Sequence, residues 1–137
     1  MTKLDIADIA GASEAPSAQV LRVYVSNRDK DGALVEDYRA WVEAFARALA
    51  LIGGGATINP EAEGLWVNTD GNGVWERTTT IYSYILPDRF QKYFPGLVEL
   101  MHRYGREAHQ GEVFFELCGG GLTRAYRIHK FRSSAVH

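Results

Sequence analysis

Glu76, His109 and Gln110 are the residues of this chain whose types suit work on a small molecule, with Asn27 and Arg28 as polar companions. A carboxylate such as Glu76 serves as a general base or holds a cationic group. Histidine titrates near neutral pH and fits an acid–base role. The Gln110 amide can hold a ligand carbonyl or amide. Each also has a plainer reading. Glu76 can pair with Arg28 or Arg77 as a surface ion pair of small energetic value. Gln110 can cap a helix end, and His109 near a helix C-terminus is favoured by the dipole alone. What decides is whether the fold brings these distant positions together.

The elements are legible from periodicity. AQVLRVYVSN (18–27) alternates, with Leu21, Val23 and Val25 on one side and Arg22, Tyr24 and Ser26 on the other, which predicts a strand. Tyr38, Trp41, Val42, Phe45, Ala48 and Leu49 form a helical stripe that Gly53-Gly54-Gly55 ends. ATINPEAEGLWVN (56–68) reads as a strand interrupted at Pro60, and VWERTTTIYSYIL (74–86) as its hairpin partner across a TDGNG turn. A second helix lies within 87–110. Asp88 is its candidate N-cap, its secure part starts near Pro95, and Leu97, Leu100, Met101, Tyr104 and Ala108 form its buried stripe. Strands at 111–118 and 122–131 follow.

That order predicts an α+β fold: a ferredoxin-like βαββαβ plait, antiparallel sheet order 4-1-3-2, with an additional C-terminal strand. Residues 1–17 read as an N-terminal arm, 18–131 as one domain and 132–137 as a tail. Leu4, Ile6 and Ile9 of the arm could dock on the body or on a second copy. The topology gathers Ser26-Asn27-Arg28, Asn68, Trp75-Glu76-Arg77 and His109-Gln110-Gly111-Glu112 at one edge. Asn27, Arg28, Glu76, His109 and Gln110 are the expected ligand-binding residues. With the isoleucines of the third strand facing the helices, Tyr24, Tyr82, Tyr84 and Phe114 share the open sheet face. That apolar patch is larger than a monomer usually exposes, and it predicts a homodimer.

Several chemistries find no pattern. His102 and His109 are two helical turns apart, roughly 10 Å, too far to share one metal ion. There is no G-x-S-x-G, and the single cysteine, Cys118, has no basic neighbour in sequence. The glycine triplets at 53–55 and 119–121 lack the G-K-S/T continuation of a phosphate loop. No cofactor is called for. Net charge is −2 at pH 7, which argues against a protein built to coat nucleic acid. Only Arg124, Arg127, Lys130 and Arg132, interleaved with Tyr126 and Phe131, could grip phosphate, and an edge strand charged against aggregation explains them as well. No apolar run reaches the ~18 residues of a membrane span. A lone cysteine and an acidic N-terminus suggest a cytoplasmic protein.

The span from VLRVYVSNRDKDG through GLWVNTDGNGVWERTTTIYSYI to YGREAHQGEVFFEL resembles a group of small bacterial and phage proteins with no assigned activity. They share a strand, a helix, a "G-x-W … E" hairpin and a helix ending in "F-G-Q-x-x-V". Gly64, Trp66, Glu76 and Gln110 occupy those places. The resemblance implies the fold and not an activity.

Two functional readings follow. The first is a non-catalytic, dimeric module that binds a small ligand or another protein, of the kind phages use as accessory or inhibitor proteins. The alternative is a cofactor-independent enzyme of the dimeric α+β barrel kind, an oxygenase or isomerase on a small aromatic substrate, with His102 or His109 as its acid–base group. An enclosed cavity reaching a histidine would favour the second.

Overall fold

The computed structural model describes residues 5–13 and 19–133. Leu4, the Ala15-Pro16-Ser17 end of the expected arm and residues 134–137 of the expected tail lie outside them. The elements are α1 (Ile6–Ala10), β1 (Val20–Ser26), α2 (Tyr38–Gly53), β2 (Thr57–Val67), β3 (Gly73–Tyr84), α3 (Pro87–Glu107), β4 (Val113–Gly119) and β5 (Leu122–Ile128).

The strands form one antiparallel sheet in the order β2-β3-β1-β4-β5. It is not the bare four-stranded 4-1-3-2 plait: β5 pairs outside β4, so β2 and β5 are the edges. Period-two alternation puts Leu21, Val23 and Val25 of β1, Ile81 of β3 and Val113 of β4 on the face that α2 and α3 cover. There they meet Val42, Phe45, Leu49 and Ile52 of α2 and Leu97, Met101 and Tyr104 of α3, all buried.

Two local features depart from expectation. The arm contains a short helix, α1, capped by the Asp5 side chain on the Asp8 amide at 3.1 Å and closed by Gly11 in the left-handed region. Its Ile6 and Ile9 are exposed. The second long helix starts at Pro87, not near Pro95, with Leu86 rather than Asp88 at the N-cap. Pro95 sits inside it. Pro95, Gly96 and Gln91 are all exposed, so water can serve the carbonyl that the missing N–H abandons.

The β2–β3 hairpin is longer than its support. β1 pairs with β3 only from Tyr84 to Thr78, whereas β2 stays paired to Val67↔Gly73. The distal rungs, with exposed Leu65, Val67 and Trp75, therefore stand clear of β1. A bulge between Asn59 and Ala62 holds Pro60 and Glu61, the latter at φ 33°. The interruption that Pro60 signals in the sequence is this bulge. Among the described residues, no helix is long and apolar enough to cross a membrane.

The segment just after β5 is latched to α3. Phe131 lies over Gly105, where any Cβ would collide with its ring. The Arg132 amide donates to His102 Nδ1 at 3.0 Å, and Arg106 donates to the Arg132 carbonyl. Burial, then the charges of Arg132 and Arg106, hold the His102 pKa below its ordinary value. The folded state thus resists a proton that the unfolded chain accepts. Stability from this site is complete above the unfolded pKa of about 6.5 and declines as pH falls through it toward the folded value. Thermal melts should show Tm falling between about pH 7 and pH 5, a slope that His102→Asn flattens. An unchanged slope in that variant would remove His102 as its source.

Candidate functional site

The edge that the topology predicts exists, and Glu76 is its centre. Position 76 lies just before the part of β3 that pairs with β1, and Ser26↔Thr78 is the last rung of that ladder. Ser26 Oγ donates to Glu76 Oε2. On the other side, Gly64 is the register partner of Glu76. A Cβ at Gly64 would meet Glu76 Cγ and Thr78 Oγ1 at 3.3 Å, so glycine there leaves room for the carboxylate to lie across β2. Trp66 is two residues along the same face, and its Nε1–H donates to Glu76 Oε1. Thr78 Oγ1 donates to the same oxygen at 3.0 Å. The "G-x-W … E" pattern is thus one structural unit: a gap, a donor and the acid they orient.

Helical tyrosines brace this unit from behind. The Tyr104 hydroxyl donates to the Ser26 carbonyl at 3.1 Å and accepts from the Ser26 amide at 3.0 Å. The Tyr38 hydroxyl bonds Thr79 Oγ1 and lies 3.3 Å from the Val25 carbonyl. Burial raises the Tyr38 pKa, and the Glu61 and Glu76 carboxylates add to that, so the phenol keeps its proton at neutral pH.

The other expected ligand residues gather beside this unit but are largely occupied. Asn27 makes a two-way contact with Arg77, its amide donating to the Arg77 carbonyl at 3.0 Å and its Oδ1 receiving the Arg77 amide at 2.9 Å. Arg28 turns its guanidinium to the Gly32 carbonyl at 3.0 Å. Gln110 Nε2 donates to the Arg28 and Ala108 carbonyls at 3.0 and 3.1 Å, tying the loop after β1 to the end of α3. His109 is exposed, at φ 51°, and its carbonyl receives the Lys30 amide at 2.9 Å. Asn68 does not join them. It closes the distal turn, four positions beyond Gly64.

The open face carries Tyr24, Tyr82, Tyr84 and Phe114, yet it is more polar than an apolar patch. Tyr24 packs on Phe114 with centroids 4.9 Å apart and donates its hydroxyl to Glu116, which also faces Arg22 at 3.5 Å. Burial and the Glu116 hydrogen bond push the Tyr24 phenol up to about 12. Tyr84 is the exposed member, at 57%. A cleft of about 410 Å³ lies beside it, lined by Gly53, Gly54, Ala56, Thr57, Tyr82 and Tyr84. That is eight residues along β3 from Glu76, roughly 26 Å. Neither His102 nor His109 lines it. Of the basic C-terminal residues, Arg127 faces Glu112 at 3.9 Å and Phe114 at 5.9 Å, and Arg132 is bound to His102.

No protein-family model matches the chain, and no curated protein matches it. Two solved structures do. A phage SAM lyase in complex with S-methyl-5'-thioadenosine aligns with TM-score 0.62 and 20% identity, over 86% of this chain and 94% of that one. A phage SAM lyase in the apo state aligns with TM-score 0.61 and 18% identity, over 89% and 98%. At this identity the likeness is one of fold. It corrects the expectation of a non-catalytic binding or inhibitor module, because both of these matched structures are of a lyase. The enzyme alternative is closer.

Proposed function

We propose that the chain is a lyase acting on a sulfonium nucleoside of the S-adenosylmethionine kind, with Glu76 at the centre of its site. The observation that carries this is a carboxylate oriented by three donors, from Ser26, Trp66 and Thr78, in a fold that phage SAM lyases share. A carboxylate offers about four lone-pair positions. Three are used inside the protein, and the remaining one, with the negative charge, is available to a cationic substrate.

The proposed step breaks the bond between sulfur and the γ-carbon of the amino-acid part. Its electron pair goes to sulfur, and S-methyl-5'-thioadenosine leaves as a neutral thioether. The four-carbon fragment completes its valence by closing on its own carboxylate or by losing a neighbouring proton to Glu76. The first route gives a lactone and releases no proton. The second gives an unsaturated amino acid and one proton. Asn27, Arg28 and Gln110 shape the rim by fixing the loop after β1, and His109 stands at its solvent side.

The test is to incubate the purified chain with S-adenosylmethionine and follow both nucleosides by chromatography. One S-methyl-5'-thioadenosine should appear per substrate lost, and proton NMR should identify the second product. Loss no faster than in an enzyme-free control would overturn the reading.

Pairing of two copies through the open face draws its support from exposed Tyr84, since Tyr24, Tyr82 and Phe114 are half-buried. Sedimentation of the wild type and of Tyr84→Lys tests it: a dimer that this substitution dissociates supports it, and a wild-type monomer excludes it.

A further inference from the structure

We infer that Tyr104 is a positioning residue of the Glu76 site, its hydroxyl taking the place of a missing strand and setting Ser26, which in turn sets the carboxylate. The inference rests on the reading of Glu76 as the centre of the site.

The β1–β4 ladder ends at Val23↔Phe115, three residues short of Ser26. On its other side β1 is still paired, at Ser26↔Thr78, and the Asn27 amide bonds the Arg77 carbonyl. In an antiparallel strand both backbone groups of a residue point to the same neighbour, and successive residues alternate. Ser26 therefore turns its N–H and C=O toward the side where β4 has stopped. Buried backbone groups need partners. The Tyr104 hydroxyl supplies both, accepting from the N–H at 3.0 Å and donating to the C=O at 3.1 Å, as a paired residue would.

This oxygen is held in place. The Tyr104 ring is 1% exposed and meets Trp41 and Phe45 edge-on, with centroids 5.3 and 5.4 Å away. Burial raises its pKa, so the phenol stays protonated and keeps both roles. Beyond the backbone, Ser26 Oγ receives the Arg28 amide at 3.0 Å and donates to Glu76. A line of contacts therefore runs from the core face of α3 through one β1 residue to the acid on β3. Phenylalanine at 104 would preserve the packing and delete only the hydroxyl.

The first readout does not depend on activity. The Trp66 indole N–H donates to Glu76, so its proton resonance reports the carboxylate's position, and Trp66→Phe identifies the signal. Tyr104→Phe should shift that resonance upfield and lower kcat about tenfold with a smaller change in KM, equivalent to about 1.4 kcal/mol. Ser26→Ala should do the same, and the double variant should be no worse than Ser26→Ala alone. A folded Tyr104→Phe protein with an unmoved Trp66 resonance would overturn the inference, as would additive effects in the double variant. If Tyr104→Phe does not fold, Ser26→Ala decides: an unmoved resonance there breaks the chain of contacts. Failure of the lyase reading looks different, because the wild type then produces no thioether while the resonance test still runs.

Discussion

Glu76→Gln is expected to lower kcat/KM for S-adenosylmethionine about 100-fold while leaving Tm within about 3 °C. Glutamine has the size of glutamate. Its carbonyl can face the two donors that converge on Oε1, Trp66 Nε1 and Thr78 Oγ1. Its NH2 then faces Ser26 Oγ, whose hydroxyl can rotate and accept. Every donor keeps a partner, so the fold tolerates the change. What disappears is the charge. A 100-fold loss is about 2.7 kcal/mol, within the ~1.5–3 kcal/mol of a hydrogen bond to a charged group. Steady-state kinetics beside a thermal melt separates the outcomes. Full activity in Glu76→Gln would exclude the carboxylate as the reacting or substrate-holding group. A large fall in Tm with normal turnover per folded molecule would make Glu76 a structural acid only.

Gly53→Ala should cost about 3 kcal/mol of stability, a fall in Tm of about 10 °C, whereas Gly55→Ala should change it little. Gly53 ends α2 where the helix presses on β3. An added Cβ would overlap Ser83 Oγ and the Tyr84 carbonyl. Ser83 cannot simply turn aside, since it donates to the Gly55 carbonyl at 2.6 Å. Tyr84 O belongs to the sheet backbone, so relief requires the helix to lift, with Leu49 and Ile52 on its buried face. At Gly55 nothing lies within 4 Å of the added carbon. Matched denaturation of the two variants tests this. Equal stabilities would mean that the helix end yields without loss.

Much of this arrangement is legible in the sequence, and the limits have physical causes. Alternation in AQVLRVYVSN and in the ERTTTIYSYI stretch assigns Leu21, Val23, Val25, Ile81 and Ile85 to the core and leaves Glu76 on the other side. Topology then brings Ser26 to Glu76 across 50 residues. Trp66 as a donor to Glu76 is less visible, because it depends on the register that the turn sets from Val67↔Gly73 to Gly64↔Glu76, and the alternation pattern alone does not fix where that turn begins. The pattern G-x-W … E carries the signal, and Gly64↔Glu76 explains it. Tyr104 reads only as one more apolar position at helical spacing. Its polar role comes from β4 ending before Ser26, and strand lengths are poorly determined by local residues. Pro95 suggests a helix start because proline disrupts hydrogen bonding, yet solvent exposure on that side lets α3 continue through it.

The site is half local and half distant in the chain. Trp66 reaches Glu76 across 10 residues within one hairpin, while Ser26 is 50 residues from Glu76 and Tyr104 is 78 from Ser26. Hairpins close in about 1–10 μs, whereas contacts of long sequence separation wait for the collapse of the whole domain. During folding the acid therefore meets its indole partner early and its serine late. A partly folded chain holds Glu76 with only part of its support. Any substitution that slows or weakens the global transition, even one as remote as Gly53, reduces the population in which all of these contacts coexist.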